Sequence, residues 1–402
     1  MKSGTSSSKY ALLPIFLIVT VDILGLTLIL PILPFYAEHY GASPEVVGSL
    51  VTIYALCQLL SGPMLGRLSD KTSRKAMLLV SQFGTCLGFV LLAKAHALWM
   101  IFLSRFIDGI TAGNLPIAQA YISDVTPPQD RAKAFGTIGV AFGVSFFIGP
   151  AISGYLARYG YSAPAWMAAA LSLTSMACTW FLLPAKPVSA QAAHAADAAT
   201  KPTAFWTYFR MPLLGSLLLQ YLFFGLAFAD FMAGFALFAE RRFVSHGRPW
   251  GAQEIGYYYT YLGFLAIISQ GVLLRPLVKR FGEKKLVVGG FLCQTLGYGA
   301  LSLVYRVPAL VATALLNSLG SGVLRPAMAS LVSQQASARE QGAVMGFATS
   351  LVSVGQILSP LLAGYLITRH QLNLWALSAA CFASVGFALA VRMLRRAAVP
   401  AT

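Results

Sequence analysis

The sequence predicts an all-α membrane protein: twelve transmembrane helices in two pseudo-symmetric six-helix bundles. Three observations predict it. Of the 402 residues, 57% are hydrophobic and only 10% are charged, whereas a soluble protein carries about 25% charged residues. Apolar stretches of about twenty residues, enough helix to cross a bilayer core, recur along the whole chain. The sequence also matches itself at an offset of about 209 residues, as transporters built from repeated halves do. Gly149-Pro150-Ala151-Ile152-Ser153-Gly154-Tyr155-Leu156 returns as Ser359-Pro360-Leu361-Leu362-Ala363-Gly364-Tyr365-Leu366. Asp130 to Gly136 returns as Glu340 to Gly346, and the basic loop Asp70 to Lys75 as Lys279 to Lys284.

Taken in order, residues 1–9 are expected as a disordered cytoplasmic tail. The first span, 11–33, is too long for the apolar region of a signal peptide and lacks a small-residue cleavage site, so it is expected to stay as helix 1. Spans 46–68, 77–95, 98–118, 134–157 and 164–183 complete an amino-terminal bundle over 10–183. An Ala-rich stretch with Pro, Ser, Gln and His follows, and 184–206 is expected as a cytoplasmic linker. Spans 213–238, 255–275, 285–304, 308–330, 343–367 and 373–394 form the second bundle over 207–396, with a tail at 397–402.

The net charge of +16 invites a nucleic-acid reading, but its distribution argues for topology instead. Lys71, Arg74, Lys75, Lys279, Arg280, Lys284, Lys285, Arg392, Arg395 and Arg396 lie on one side of the predicted spans. The other side holds fewer basic residues, among them Lys94, Arg158, Arg242 and Arg369. The positive-inside rule then puts both termini in the cytoplasm. The basic balance concerns membrane lipid rather than DNA. The five cysteines all fall inside apolar spans without metal-ligand spacing. They read as packing residues, and neither a metal nor a cofactor is expected.

Charges inside the bilayer cost about 2.5–3.5 kcal/mol at a helix centre on insertion scales and mark pathways or pairs. Asp22, Arg105, Asp108, Asp230 and Arg325 lie well inside the spans. Asp22 is expected near mid-bilayer in helix 1. A carboxyl there can carry a proton, since loading one removes a charge from a low-dielectric site; a fixed pair with Arg105 is the alternative. Arg105 and Asp108 are three apart on one helical face and can neutralise each other. Asp230 stands near the repeat position of Asp22 among Phe223, Phe224, Phe228, Phe231 and Phe235, a setting that suits a cationic amphiphile; alternatively most of these rings face lipid or other helices. Asn317, Ser321 and Arg325 form an i, i+4, i+8 stripe, with Arg325 either facing the interior or snorkelling to the interface. Gln294 and Gln356, with Gln119 and Gln270, can bind substrate or bridge helices.

Gly66-Arg67-Leu68-Ser69-Asp70-Lys71-Thr72-Ser73-Arg74-Lys75, Arg105-Phe106-Ile107-Asp108-Gly109 and the glycine series Gly139, Gly143, Gly149-Pro150, Gly154 resemble ordered motifs of the major facilitator superfamily. Within it the chain resembles the twelve-helix drug:proton antiporters related to tetracycline efflux proteins. Tyr121 to Thr126 with Asp130-Arg131-Ala132 fits the family's loop 4–5 pattern, and Lys279 to Lys284 with Leu296-Gly297-Tyr298 is similar to the tetracycline branch. The resemblance implies gating roles for Gly66, Asp70, Arg74, Asp124, Arg131, Gly143, Gly149 and Pro150. Asp70 is expected to act on the positive amino end of helix 11 near Gly342, and Arg74 to pair with Asp124. The chain departs from the family at Ser73, usually Gly. It also has Gln294 where the tetracycline pumps carry a helix 9 carboxylate, Ala266 in place of a helix 8 His, and Gly88 in place of a helix 3 acid. Those departures argue against handling a metal–tetracycline chelate in the manner of those pumps.

The expected function is proton-coupled export of small amphipathic organic compounds or drugs by alternating access. Asp22, Arg105 and Asp108 would couple protons; Asp230, Phe231, Asn317, Gln294, Gln356 and Arg325 would contact substrate. The alternative is a proton symporter or facilitator for an organic anion or metabolite, using Arg105 and Arg325. A membrane-embedded enzyme or a receptor is disfavoured: no nucleophile or His/Cys/Asp cluster stands at the membrane surface, and no extended tail or soluble domain is visible. The protein is expected to be a monomer of the bacterial inner membrane.

Overall fold

A computed structural model describes residues 4–126, 131–184, 205–245, 247–335 and 341–398. The expected linker core, 185–204, and the ends of both tails lie outside the described residues. Each predicted span falls on helix. In chain order these are α1 (Gly4–Ile29), α2 (Leu33–His39), α3 (Pro44–Lys71), α4 (Arg74–Ala93), α5 (Leu98–Ile110), α6 (Asn114–Val125), α7 (Arg131–Leu156) and α8 (Ser162–Leu182). They continue as α9 (Phe205–Arg210), α10 (Pro212–Arg242), α11 (Ala252–Ile268), α12 (Leu274–Phe281), α13 (Glu283–Leu301), α14 (Val307–Gln335), α15 (Gln341–Thr368) and α16 (Leu372–Ala398). A two-residue hairpin, Val244–Ser245 against Arg248–Pro249, follows α10.

Among the described residues, nine helices are long and apolar enough to cross a membrane, ten if the bent pair α1–α2 is one span. The two remaining predicted spans depart from a plain apolar rod for visible reasons. Span 285–304 opens on Glu283-Lys284-Lys285, whose charges dilute a short helix. Span 98–118 is broken at Thr111–Gly113. Pro116, in the first turn of α6, has no N–H to continue the ladder. Ser81 of α4 fills the gap: its hydroxyl donates to the Thr111 carbonyl and accepts from the Gly113 N–H at 2.9 Å. The α1–α2 bend of 42° falls at Pro31 and Pro34, as proline kinks do. Helix α1 begins at Gly4, inside the segment expected to be a tail, and runs on through Pro14.

The chain forms two compact units. One is Met1–Ala42, Ile53–Lys201 and Gly251–Thr260; the other is Ser43–Thr52, Pro202–Trp250 and Tyr261–Thr402. The repeat is visible in their internal packing. In the first, α1 packs on α7 and α8, and α4 on α5 and α8; in the second, α10 packs on α15 and α16, and α13 on α14 and α16. The first core joins Ile15, Ile18 and Val19 of α1 to Met77, Leu78, Ile117, Tyr121 and Ala141. The second joins Leu217, Leu218 and Phe224 of α10 to Phe291, Leu324, Met328 and Ala348.

Small residues set the close approaches. Ser145, Gly149 and Ser153 recur every fourth residue along α7, and that face lies on α1. Thr27 donates to the Ser145 carbonyl at 3.0 Å, Ser145 to that of Thr20 at 3.1 Å, and Ser153 to that of Leu28 at 2.5 Å. A Cβ on Gly149 would overlap Thr27. The second unit repeats the seam: Gly355 of α15 lies against the Gly225–Leu226 backbone, and Ser359 donates to the Leu226 carbonyl at 2.9 Å. Small residues let membrane helices approach at van der Waals distance, and hydroxyl-to-carbonyl bonds add to the contact.

Between α11 and α12 the helix widens into a π turn, Ser269–Leu273. Ser269 is buried there, and a Cβ on Gly322 of α14 would come within 2.6 Å of its own. At the end of α10, Arg242 donates to the Val304 carbonyl at 3.3 Å and to Asn373 at 2.5 Å, and lies over the Tyr305 ring at 4.3 Å. The first unit ties the repeat-related carbonyl, that of Ala95, through Tyr36 at 3.1 Å and Tyr40 at 2.7 Å.

Candidate functional site: buried carboxylates in each helical unit

In the first unit the charges gather where α1, α4, α5 and α8 meet. Asp22 of α1 has Ser175 of α8 and Gln82 of α4 as polar neighbours and feels the charge of Asp108. Gln82 donates to the Ser175 hydroxyl at 2.7 Å. The Oδ2 atom of Asp22 is buried without a hydrogen-bond partner among the described residues. Arg105 and Asp108 pair at 3.2 Å with 4% of each side chain exposed. Arg105 therefore satisfies Asp108 within one helix, and no Asp22–Arg105 bridge occurs among the described residues. The guanidinium lies 5.9 Å from the rings of Tyr54 and Phe89, and its Nη2 has no hydrogen-bond partner among the described residues.

Why the pair sits so deep follows from α4. Its residues Ser81, Gly84 and Gly88 present small side chains or none toward α5. A Cβ at Gly88 would lie 3.1 Å from both Asp108 Cβ and the Ser104 carbonyl. An acid at position 88 would compete for the space Asp108 occupies.

In the second unit, Asp230 of α10 is wholly buried. Its Oδ2 accepts from Ser378 of α16 at 2.6 Å, its carbonyl accepts from the Trp375 indole at 3.2 Å, and its Oδ1 has no partner among the described residues. Phe231 stacks between Phe235, at 5.1 Å, and Tyr298 of α13, at 5.2 Å. The phenylalanine-rich face is thus helix packing to a large extent.

Gln294 and Asn317 are buried on adjoining helices, α13 and α14, and all four of their amide atoms lack hydrogen-bond partners among the described residues. Glycines admit them: a Cβ on Gly297 would overlap the Asn317 amide, and one on Gly320 would come within 2.7 Å of Gln294 Cγ. Exposure rises along the polar stripe of α14, from buried Asn317 through half-buried Ser321 to exposed Arg325, whose electrostatic neighbour is Tyr221. Gln356 is half-buried; Gln119 and Gln270 are exposed.

The loop residues form one cluster in the first unit. Arg74 pairs with Asp70 and, at 2.9 Å, with Asp124, and it donates to Ser69 at 2.7 Å. Ser69 in turn donates to the Gly66 carbonyl at 2.6 Å. Ser73, the departure from the family pattern, has a use: it is the N-cap of α4 and accepts from the Ala76 N–H at 3.4 Å, a role that serine fills well. Among the other expected gating residues, Gly149 and Pro150 are buried in α7 and Gly143 is half-buried. The surroundings of Arg131 and Gly342 lie outside the described side chains.

Sequence reading missed three participants: Ser81, Ser175 and Ser378. Serines are common in such helices, and only the contact with a broken helix or a buried acid singles these out.

Comparison with known proteins places this architecture. The sequence profile of the Major Facilitator Superfamily matches residues 15–275 and 222–401. The chain belongs to this superfamily. It is 30% identical to the class B tetracycline resistance protein of Escherichia coli over 92% of this chain and 90% of that one. It is 31% identical to the class C protein of Escherichia coli, with coverage of 88% and 89%. Multidrug resistance protein 2 of Bacillus subtilis (strain 168) is 27% identical, covering 91% of each. Among solved structures, the human organic anion transporter MFSD10 (TETRAN) superposes with a TM-score of 0.72 at 21% identity, over 95% of this chain and 99% of that one. A bacterial homolog of the human lysosomal transporter Spinster gives 0.74 at 17% identity, over 98% of each. The protein is therefore a multi-pass integral membrane protein and a transporter of the major facilitator type, not an enzyme.

Proposed function

We propose that the protein exports small amphipathic organic compounds in exchange for protons, from the inner membrane of a bacterium, as a monomer with both termini in the cytoplasm. Relatives named for tetracycline and multidrug resistance, at about 30% identity over most of the chain, support the export of drugs. The observation that carries proton coupling is Asp22. Its carboxyl stands on a membrane helix with a buried oxygen that nothing in the described protein satisfies, close enough to Asp108 to feel its charge. A proton there removes a charge from an apolar span, where charge is costly. Arg105 pairs with Asp108 and leaves Asp22 as the member free to load and unload. A loaded and an unloaded Asp22 then favour different facing states, which is what exchange requires.

Substrate contacts fall to half-buried Gln356 and the exposed Arg325 end of the α14 stripe, with buried Gln294 and Asn317 reached when α13 and α14 part. Four unpartnered amide atoms on two buried side chains suit a ligand that offers both donors and acceptors, since a buried polar atom without a partner costs about 1–3 kcal/mol. Asp70, Arg74 and Asp124 would gate the cytoplasmic side.

The test is transport in proteoliposomes. Asp22→Asn is expected to abolish accumulation driven by a pH gradient while sparing substrate counterflow. Uphill transport at the wild-type rate by this variant would refute the assignment. A second reading, carriage of an organic anion, is favoured only by the unpartnered Nη2 of Arg105. It predicts that substrate and protons move in the same direction.

A further inference from the structure

We infer that Asp230 is a second proton-binding site, built into the carboxyl-terminal unit and read out by α16. The argument starts from access. Asp230 has no exposed surface, so a drug-sized cation cannot reach its oxygens without helices parting, whereas a proton can. Its surroundings are apolar and aromatic: Phe231 beside it on α10, Tyr298 on α13 and Trp375 on α16. The facing residues of α15 are Val352, Gly355 and Ser359, which pack on Gly225 and Leu226. Tyr298 is the titratable group in electrostatic contact. No cation pairs with Asp230 among the described ion pairs. Arg325 interacts with Tyr221, nine positions and about 13 Å of helix from Asp230.

Hydrogen-bond counting gives the site its logic. The Ser378 hydroxyl lies 2.6 Å from Asp230 Oδ2 and 2.7 Å from the Trp375 carbonyl. A hydroxyl has one proton to give, so it cannot serve both acceptors. With Asp230 ionised, Ser378 must donate to the carboxylate, and Oδ1 stays charged and unpartnered. With a proton on Oδ2, the acid donates to Ser378 Oγ, and Ser378 donates to the Trp375 carbonyl. Both short contacts are then hydrogen bonds and the buried charge is gone. Loading therefore moves one proton from a hydronium ion to Asp230 Oδ2, one O–H bond breaking as another forms, and turns one hydroxyl on α16. Helix α16 senses it because Trp375 is wedged against α10: a Cβ on Gly234 would overlap its indole.

This inference goes beyond the role given to Asp22 and does not rest on it. The test is infrared difference spectroscopy of the purified full-length protein, titrated between acid and alkaline pH without substrate, reading the carboxylic-acid C=O stretch. Wild type is expected to gain a band on acidification that Asp230→Asn loses and Asp22→Asn retains. Ser378→Ala is expected to keep the band but move it to higher frequency, because the acid loses its acceptor. Asparagine preserves the shape and can still bond Ser378, and unfolding would show as loss of helical signal in the amide region. If Asp230→Asn, still helical, shows the full wild-type set of pH-dependent bands, Asp230 does not titrate and the inference is overturned. Failure of Asp22→Asn in transport would not touch this outcome.

Discussion

Arg105 and Asp108 share a site with almost no solvent, so their value is mutual. A buried pair broken on one side leaves an uncompensated charge, which costs about 3–5 kcal/mol. Asp108→Ala is expected to show that loss as a large drop in thermal stability in detergent, with Asp108→Asn in between. The double variant Arg105→Met, Asp108→Leu is expected to recover most of it. The same reasoning governs Gly88, where an added Cβ would lie 3.1 Å from Asp108 Cβ and the Ser104 carbonyl. Gly88→Asp would bring a second acid into Asp108's space, and a fall in the yield of folded protein would register it. The sequence was legible here up to the residues and no further. Asp22, Arg105, Asp108 and Asp230 stand out because charge inside an apolar span is rare. Which of them pair could not be read: i, i+3 spacing allowed Arg105–Asp108, and nothing forbade Arg105–Asp22. The serines that complete the sites carry no signal of their own.

At the scale of elements, the α1–α7 seam tests whether the glycine series packs helices. Gly149 faces Thr27, whereas Gly139 of the same helix has nothing within 4 Å of a would-be Cβ. Gly149→Val is expected to cost about 1–3 kcal/mol, as overpacking does, and Gly139→Ala almost nothing; paired thermal denaturation curves would show the contrast. The Arg74 cluster behaves differently. Asp124 is 37% exposed, and exposed ion pairs contribute at most about 1 kcal/mol. Arg74→Ala should therefore leave stability nearly unchanged while lowering transport turnover, if the cluster gates. Every predicted span became helix, because runs of apolar residues fix helix existence. The break inside 98–118 was not foreseen, although Pro116 was in view. A proline in the first turn of a new helix reads the same as one inside a continuous helix until Ser81 is seen to fill the gap.

For the whole molecule, the repeat predicts more than a fold. The pairing of helices is the same in both units, yet the chemistry at matching places has diverged. Arg74 pairs with Asp124 in the first unit. At the repeat position of Arg74 stands Glu283, which accepts from Ser330 at 2.5 Å and Gln334 at 2.7 Å. Exchanging the two, as in Arg74→Glu with Glu283→Arg, is expected to impair transport, because a carboxylate at position 74 would face Asp70 and Asp124; uptake assays on the double variant would show it. The distribution of basic residues makes a separate prediction. A fluorescent protein that matures only in the cytoplasm, fused after Thr402, should be bright in whole cells, and a periplasmic phosphatase fused there should be silent. The two-bundle architecture was legible from composition and self-similarity. Substrate was not, because amides and aromatics in apolar helices bind many compounds and pack many cores.

The π turn at Ser269–Leu273 has a consequence for anyone scanning this helix by substitution. One residue of an α-helix turns through about 100°, so the extra residue held in a wide turn puts everything after it out of step with an α-helical count. A helical wheel drawn from Ala252–Ile268 and carried on unbroken would assign Arg275 and Lys279 to the wrong side. Deleting a single residue between Ser269 and Leu273 would remove the wide turn and leave the basic end facing as it does, whereas deleting one from Ala252–Ile268 would turn that end by about 100°. The second deletion is a sharper probe than any point change of whether that end works by its charge or by where it points.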